Sequence, residues 1–409
     1  MIGFRNKLAN IFDFCFLSAI AALVIFAPFS KLIVRRVFVF ALVFWISCCF
    51  FRTGNNFFKR LIPSSKFNKY FVYFFIALFF SVFFSLNPYH SQVVLFNRYF
   101  LYFLIFLMGS AIGNRKKLNF VCSAFISSSI LLGIGGLWGY FFVYRERLIY
   151  VFYYRILFSQ YIAMYTPFVW ICSLLCKNKF FKFFSIFSSL LLIPCLILNG
   201  SRAAWIGVPL SILLIYIISK RKKQLAISFI VFLLFALFFI PMQKRDIFTS
   251  FKTDTWGNRT DLWKAASSIF LDYPLTGAGL GMYEKLLYVY GPKQGYSEGH
   301  IHLHSHNTYL EILSETGILG FSAFLGILFI FFRVIFSYIK SDSDIDKKAI
   351  VLGLTAGIIS TLVLAIASTI IIVDFQDAAL FWLVLGVING ICINNYADKH
   401  IAGNSCSGI

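Results

Sequence analysis

Apolar runs near the length that crosses a bilayer recur along almost the whole of this chain, and no other feature limits its fold so tightly. A helix needs about 20 residues to span the hydrocarbon. Such runs lie at 11–29, 33–51, 70–86, 98–113, 119–143, 149–175, 183–199, 203–219, 224–241, 317–339, 349–373 and 379–394. Each predicts a helix, because a helix satisfies its own backbone donors and acceptors where no water is present. The expected fold is an all-α integral membrane protein with about twelve transmembrane helices. Composition agrees. Of 409 residues, 60% are hydrophobic and only 13% are charged, and the mean hydropathy of +0.82 exceeds what a soluble core requires. The first run follows Arg5 and Lys7 but precedes eleven others, so it reads as a signal anchor rather than a cleaved signal peptide.

A formal net charge of +21 suggests a nucleic-acid partner until the charges are placed. Lys and Arg cluster in alternate connections, from Arg52 to Lys69, at 115–117, from Lys177 to Lys182 and at 220–223. The intervening connections, such as 87–90 and 374–377, are poor in positive charge. That asymmetry predicts both termini in the cytoplasm. Lys31, Arg35 and Arg36 run against it, which makes the first hairpin the exception. The basic bias is thus topological, and no nucleic-acid partner is expected. The nine cysteines include no CxxC pair; eight fall in or beside apolar runs and Cys406 lies in the tail, so they read as small apolar residues. The 53 phenylalanines read as lipid-facing bulk.

One connection breaks the rhythm. Residues 242–316 hold most of the polar, non-basic sequence, with glycines at 277, 279, 281, 291, 295 and 299. The predicted organisation is nine transmembrane helices over 1–241, a large extracytoplasmic loop with short helices over 242–316, and three transmembrane helices and a cytoplasmic tail over 317–409. Connections this long tend to carry function. The "GAGLG" at 277–281 lacks the GxGxxG spacing and follows no strand, so it is not a dinucleotide turn. The loop also holds four of the six histidines, at 300, 302, 304 and 306.

Three basic or imidazole residues stand at helix starts. In "HNTYLE", Thr308 and Glu311 have capping-box spacing, which predicts a helix from Thr308 with His306 just ahead of it. The positive end of the helix dipole there disfavours imidazolium, as a general base requires. In "NGSRAAW" (199–205), Ser201 is the expected cap and Arg202 lies in the first turn. In "GNRTDLWKAASSIF" (257–270), Arg259 precedes a helix whose face of Leu262, Ala266, Ile269 and Phe270 suits the membrane surface or the spans. An arginine in a first turn opposes the dipole unless an anion is bound, and free N–H groups beside a guanidinium suit phosphate. Plainer readings stand beside these. Arg202 also fits a snorkelling interfacial anchor, and Arg259 a solvated loop charge. An extended 300–306 would place all four histidines on one face, as zinc ligands can lie, but no carboxylate or cysteine completes a familiar spacing.

The segments "NGSRAAWIG", "GNRTDLWKAA…DYPLTGAGLG" and "HSHNTYLEILSETGILG", together spanning about 195–325, resemble the O-antigen ligase and polymerase superfamily of bacterial inner membranes. The resemblance implies a twelve-span glycosyltransferase of the inner membrane with a periplasmic site. Its donor would be a glycan on undecaprenyl pyrophosphate and its acceptor, for a ligase, a lipid A-core sugar hydroxyl. Carried onto this sequence, Arg202 and Arg259 would hold the pyrophosphate, His306 would deprotonate the acceptor, and His304 and Asn307 would orient it. No cofactor and no metal would take part. Members often carry a further arginine ahead of the histidine; here Lys285 and Lys293 occupy that stretch. A polymerase or a protein O-oligosaccharyltransferase would differ only in acceptor. A transporter, the reading from another class, would show paired broken helices with ionisable residues at mid-membrane, whereas here the two halves are unlike and the polar groups gather at one face.

Overall fold

The computed structural model describes residues 2–53, 57–62, 65–144, 155–239, 257–294, 304–341, 344–373 and 375–405. Among the described residues every regular element is helical. Each of the twelve apolar runs overlaps a helix. Eight helices are long and apolar enough to cross a membrane: Gly3–Phe26, Lys31–Arg52, Pro88–Ser110, Arg115–Phe142, Leu157–Leu175, Lys179–Leu198, Thr308–Lys340 and Ile345–Leu364. Three further apolar helices, Phe67–Phe83, Arg202–Ile218 and Ala378–Ile393, are shorter. The protein is a helical, multi-pass membrane protein.

Lipid tails are as apolar as leucine, so these helices associate through close packing rather than through burial from water. Two G-x-x-x-G pairs provide it. Gly353 and Gly357 lie against the backbone carbonyls of Phe168 and Met164. Gly386 and Gly390 meet those of Phe106 and Ser110, and a Cβ on Gly386 would come within 2.1 Å of the Phe106 oxygen. Phenylalanine divides between two environments instead of serving only as lipid-facing bulk. Phe79, Phe83 and Phe229 are exposed, while Phe16, Phe67, Phe71, Phe106, Phe125 and Phe158 are fully buried. Some buried rings pair edge-on or tilted, as with Phe71 and Phe106 at 4.3 Å between centroids, and others stack, as with Tyr102 and Trp382. Among the described residues no cysteine forms a disulfide, and all but Cys15 are buried.

Charge separates the two ends of the bundle. At one end Asp13 pairs with both Arg52 and Lys117, Arg115 pairs with Asp344 and Asp346, and Asp346 accepts the Lys177 amide. Lys220, Arg221 and Lys348 line a pocket of about 270 Å³ there. The clusters that set the charge asymmetry in the sequence therefore meet at one end. Arg202 begins the helix that runs away from the opposite end, and Thr308 begins another.

Candidate functional site

The loop builds its own small core. Leu262, Ala265, Ala266 and Ile269 of the Gly257–Asp272 helix pack on Ala278 and on Met282, Tyr283 and Leu287 of the Met282–Tyr290 helix, with Leu310 against them. The apolar face expected to meet the membrane surface or the spans packs on the loop's second helix and, through Leu310, on the Thr308–Ser341 helix, with Phe270 half-buried. The Tyr283 hydroxyl, donating to the Leu262 carbonyl at 3.0 Å, ties the two helices together.

The "GAGLG" turn docks this core on the bundle. Gly277, Gly279 and Gly281 all have positive φ, where a side chain costs energy. A Cβ on Gly277 would lie 2.2 Å from the Glu315 carbonyl carbon, and one on Gly279 would lie 1.9 Å from the Ser85 Oγ. The amides of Ala278 and Gly279 donate to the carbonyls of Ser314 and Glu315, each at 3.0 Å. In return the Thr308–Ser341 helix kinks at Gly317, with φ of 62°. The amides of Ile318 and Leu319 beyond the kink donate to Pro274 and Leu275. Two glycine motifs far apart in the sequence therefore interlock. His90, outside the histidine cluster, joins them: its Nε2 lies 3.2 Å from the Gly281 carbonyl.

His304, Ser305, His306 and Asn307 form the approach to the helix that starts at Thr308. The capping residue is Asn307, not Thr308. Its Oδ1 accepts the amides of Tyr309 and Leu310 at 3.0 and 3.1 Å. Thr308 is drawn elsewhere because the 365–368 turn presents free carbonyls: its amide donates to Ala365 and Ser368, and its hydroxyl to Ser368. Glu311 still reaches back, but to His304 Nδ1 at 2.9 Å and the Ser305 amide at 2.8 Å. Burial alone would pull the His304 pKa down; the hydrogen bond and charge of Glu311 outweigh it, so the ring stays protonated to higher pH than usual. His306 is half-buried with φ of 52°, a left-handed conformation rare outside glycine.

Arg202 and Arg259 act on each other electrostatically. Burial first, and then the positive charge of Arg202, lower the Arg259 pKa. Among the described residues no carboxylate forms an ion pair with Arg259. Arg202 is the first residue of its helix, and Ser201 ahead of it makes no side-chain cap, contrary to the sequence expectation. The turn comes from Gly200, at φ of 64°. Gly207 of the same helix packs on Ser360, one turn before the carbonyl that receives Thr308. The arginine pair and the histidine pair thus share one end of the bundle. Lys285 and Lys293 are exposed on the loop surface.

Sequence reasoning missed Arg98. It sits in a π-helical turn, Leu95–Tyr99, inside the fourth apolar run, and its charge reaches His304 and Glu315. The signal was present, since an ionisable residue inside an apolar run usually serves function. Glu315 was missed too; it is buried, and its Oε1 accepts the Tyr283 amide at 3.3 Å. His300 and His302 lie outside the described residues, so the four-histidine arrangement is not described; among the described residues no three His, Cys, Asp or Glu side chains cluster as metal ligands do. Residues 187–325 match the family described as O-antigen ligase. No curated protein matches the chain.

Proposed function

We propose, from the match of residues 187–325 to the O-antigen ligase family, that this chain is a glycosyltransferase that joins a lipid-linked glycan to a lipid A-core sugar at the periplasmic face of the inner membrane. The donor would be a glycan on undecaprenyl pyrophosphate. The observation that carries this reading is that the positive charge of Arg202 is felt at the half-buried Arg259. Two guanidiniums from separate helices, each able to present a two-pronged fork, suit the two phosphates of a pyrophosphate.

The chemistry then needs little else. The acceptor hydroxyl attacks the anomeric carbon as His306 takes its proton. The bond from that carbon to the phosphate oxygen breaks, and its electron pair leaves with the pyrophosphate. The arginines stabilise the growing charge, so the reaction is expected to proceed without a metal. Attack opposite the leaving group inverts the anomeric centre.

Arg202→Lys tests the reading. An ammonium keeps the charge but loses the two-pronged fork, so transfer onto the lipid A core should fall about 10²–10³-fold while the protein still accumulates in the membrane. Full activity in that variant would remove the arginine role. Wild-type protein that loses transfer in EDTA and regains it with zinc would replace the arginine mechanism with a metal one.

A further inference from the structure

Glu311 does more than a cap requires. It is 2% exposed, and a buried carboxylate is costly unless its oxygens are well satisfied. Oε1 lies 2.9 Å from Nδ1 of His304. Oε2 accepts the Ser305 amide at 2.8 Å and lies 2.9 Å from the Ser305 hydroxyl. That hydroxyl in turn accepts the Asn307 amide at 3.2 Å and lies 2.9 Å from the Asn307 carbonyl. Residues 304, 305 and 307 are thereby held from one carboxylate, and the left-handed His306 is clamped between them.

We propose that Glu311 is the positioning residue of the transfer site, holding His304 as a cationic donor toward the leaving phosphate while it fixes the strained backbone that presents His306. A carboxylate only accepts, so Nδ1 of His304 carries a proton. Nε2 remains for the substrate, with the ring's side chain 24% exposed. Three charged groups face the ring: Glu311 and Glu315 from the Thr308–Ser341 helix favour imidazolium, and Arg98 from the Pro88–Ser110 helix opposes it. The two carboxylates prevail. His304 then donates Nε2–H to a phosphate oxygen as the bond to the anomeric carbon breaks, and His306 takes the acceptor's proton. One histidine is held charged and the other serves as base.

This rests on the proposed transfer reaction, and two measurements separate the two ideas. The first is binding of a short-chain polyprenyl pyrophosphate to the purified full-length protein, which needs no acceptor. Wild-type affinity should fall as pH rises through the His304 titration. Glu311→Gln should bind about 10–100-fold more weakly at neutral pH, with the fall displaced to lower pH. The second is glycan transfer against pH, in which Glu311→Gln should draw in the alkaline limb and leave the acid limb in place. Glu311→Asp should restore part of both effects, and His304→Gln, which cannot titrate, should bind weakly at every pH and lose the pH dependence assigned to His304, with no further loss in the double variant. Glu311→Gln protein that accumulates and melts normally, with wild-type binding and unmoved limbs, would overturn the proposal; so would additive losses in the double variant. Should Glu311→Gln fail to accumulate, Glu311→Asp decides by a smaller displacement of the same fall to lower pH, and an unmoved fall in that variant would overturn the proposal. Binding that behaves as described without any glycan transfer in wild type would instead defeat the transfer reading and leave the Glu311 role standing.

Discussion

His306 carries the sharpest demand on a single residue. Its left-handed backbone costs about 1–2 kcal/mol in a non-glycine residue, and that strain persists because Ser305 and Asn307 are pinned on either side. His306→Ala should abolish transfer with normal accumulation, while His300→Ala should matter little; normal transfer by His306→Ala would refute the base assignment. His304 makes a separate prediction about stability. Its folded pKa is raised, so the stabilisation from its pair with Glu311 is full below the unfolded value of about 6.5 and is lost as pH rises through the folded value. The melting temperature of wild type in detergent should therefore exceed that of His304→Ala most below the unfolded value of about 6.5, and the gap should narrow as pH rises past it. A gap that widens with pH would reverse the sign assigned here. Arg202, Arg259 and His306 were all legible as candidates because each stands at a readable helix start. Arg98 was readable only as a charge at the start of an apolar run; its partners were not, because they come from a segment some two hundred residues away.

At the scale of elements, the apolar runs alone located the helices, since hydropathy over a span's length is a strong signal. Ends were less legible. Ser201 and Thr308 have the residue types of caps, yet Thr308 is recruited by carbonyls of the 365–368 turn and Asn307 takes its place. Tertiary donors and acceptors of that kind leave no local trace. The amphipathic face of the Gly257–Asp272 helix was legible, and so was a span as its partner; the loop's second helix was not, because a loop core and a membrane surface demand the same pattern. Helix packing gives the element-scale prediction. Gly386→Ala places a methyl where the Phe106 carbonyl lies 2.1 Å away, and backbone cannot yield as a side chain can. The Phe375–Ser405 helix should separate from its neighbour, with a loss of about 1–3 kcal/mol seen as a lower melting temperature in detergent. Gly3→Ala, whose Cβ meets nothing within 4 Å, is the control, and equal melting of the two variants would refute the close-packing account.

For the whole molecule, the separation of charge predicts sidedness. Cysteines introduced at Lys293 should react with an impermeant reagent applied from outside, and those at Lys117 and Arg221 should not. The opposite pattern would invert the proposed site into the cytoplasm. The Lys31, Arg35 and Arg36 exception remains in the fold, since their helix starts at the same end as Ala27, whose carbonyl meets Gln376 and Tyr161. The interlock between the "GAGLG" turn and the Gly317 kink bears on how such a protein can be recombined. The amides of 278 and 279 bond to 314 and 315, and those of 318 and 319 bond back to 274 and 275. A chimera that imports only the arginine-bearing loop, or only the histidine-bearing helix, inherits half of a paired joint. Exchange of specificity between relatives should therefore succeed only when residues 274–281 and 314–319 travel together, as one heritable module split across two places in the gene.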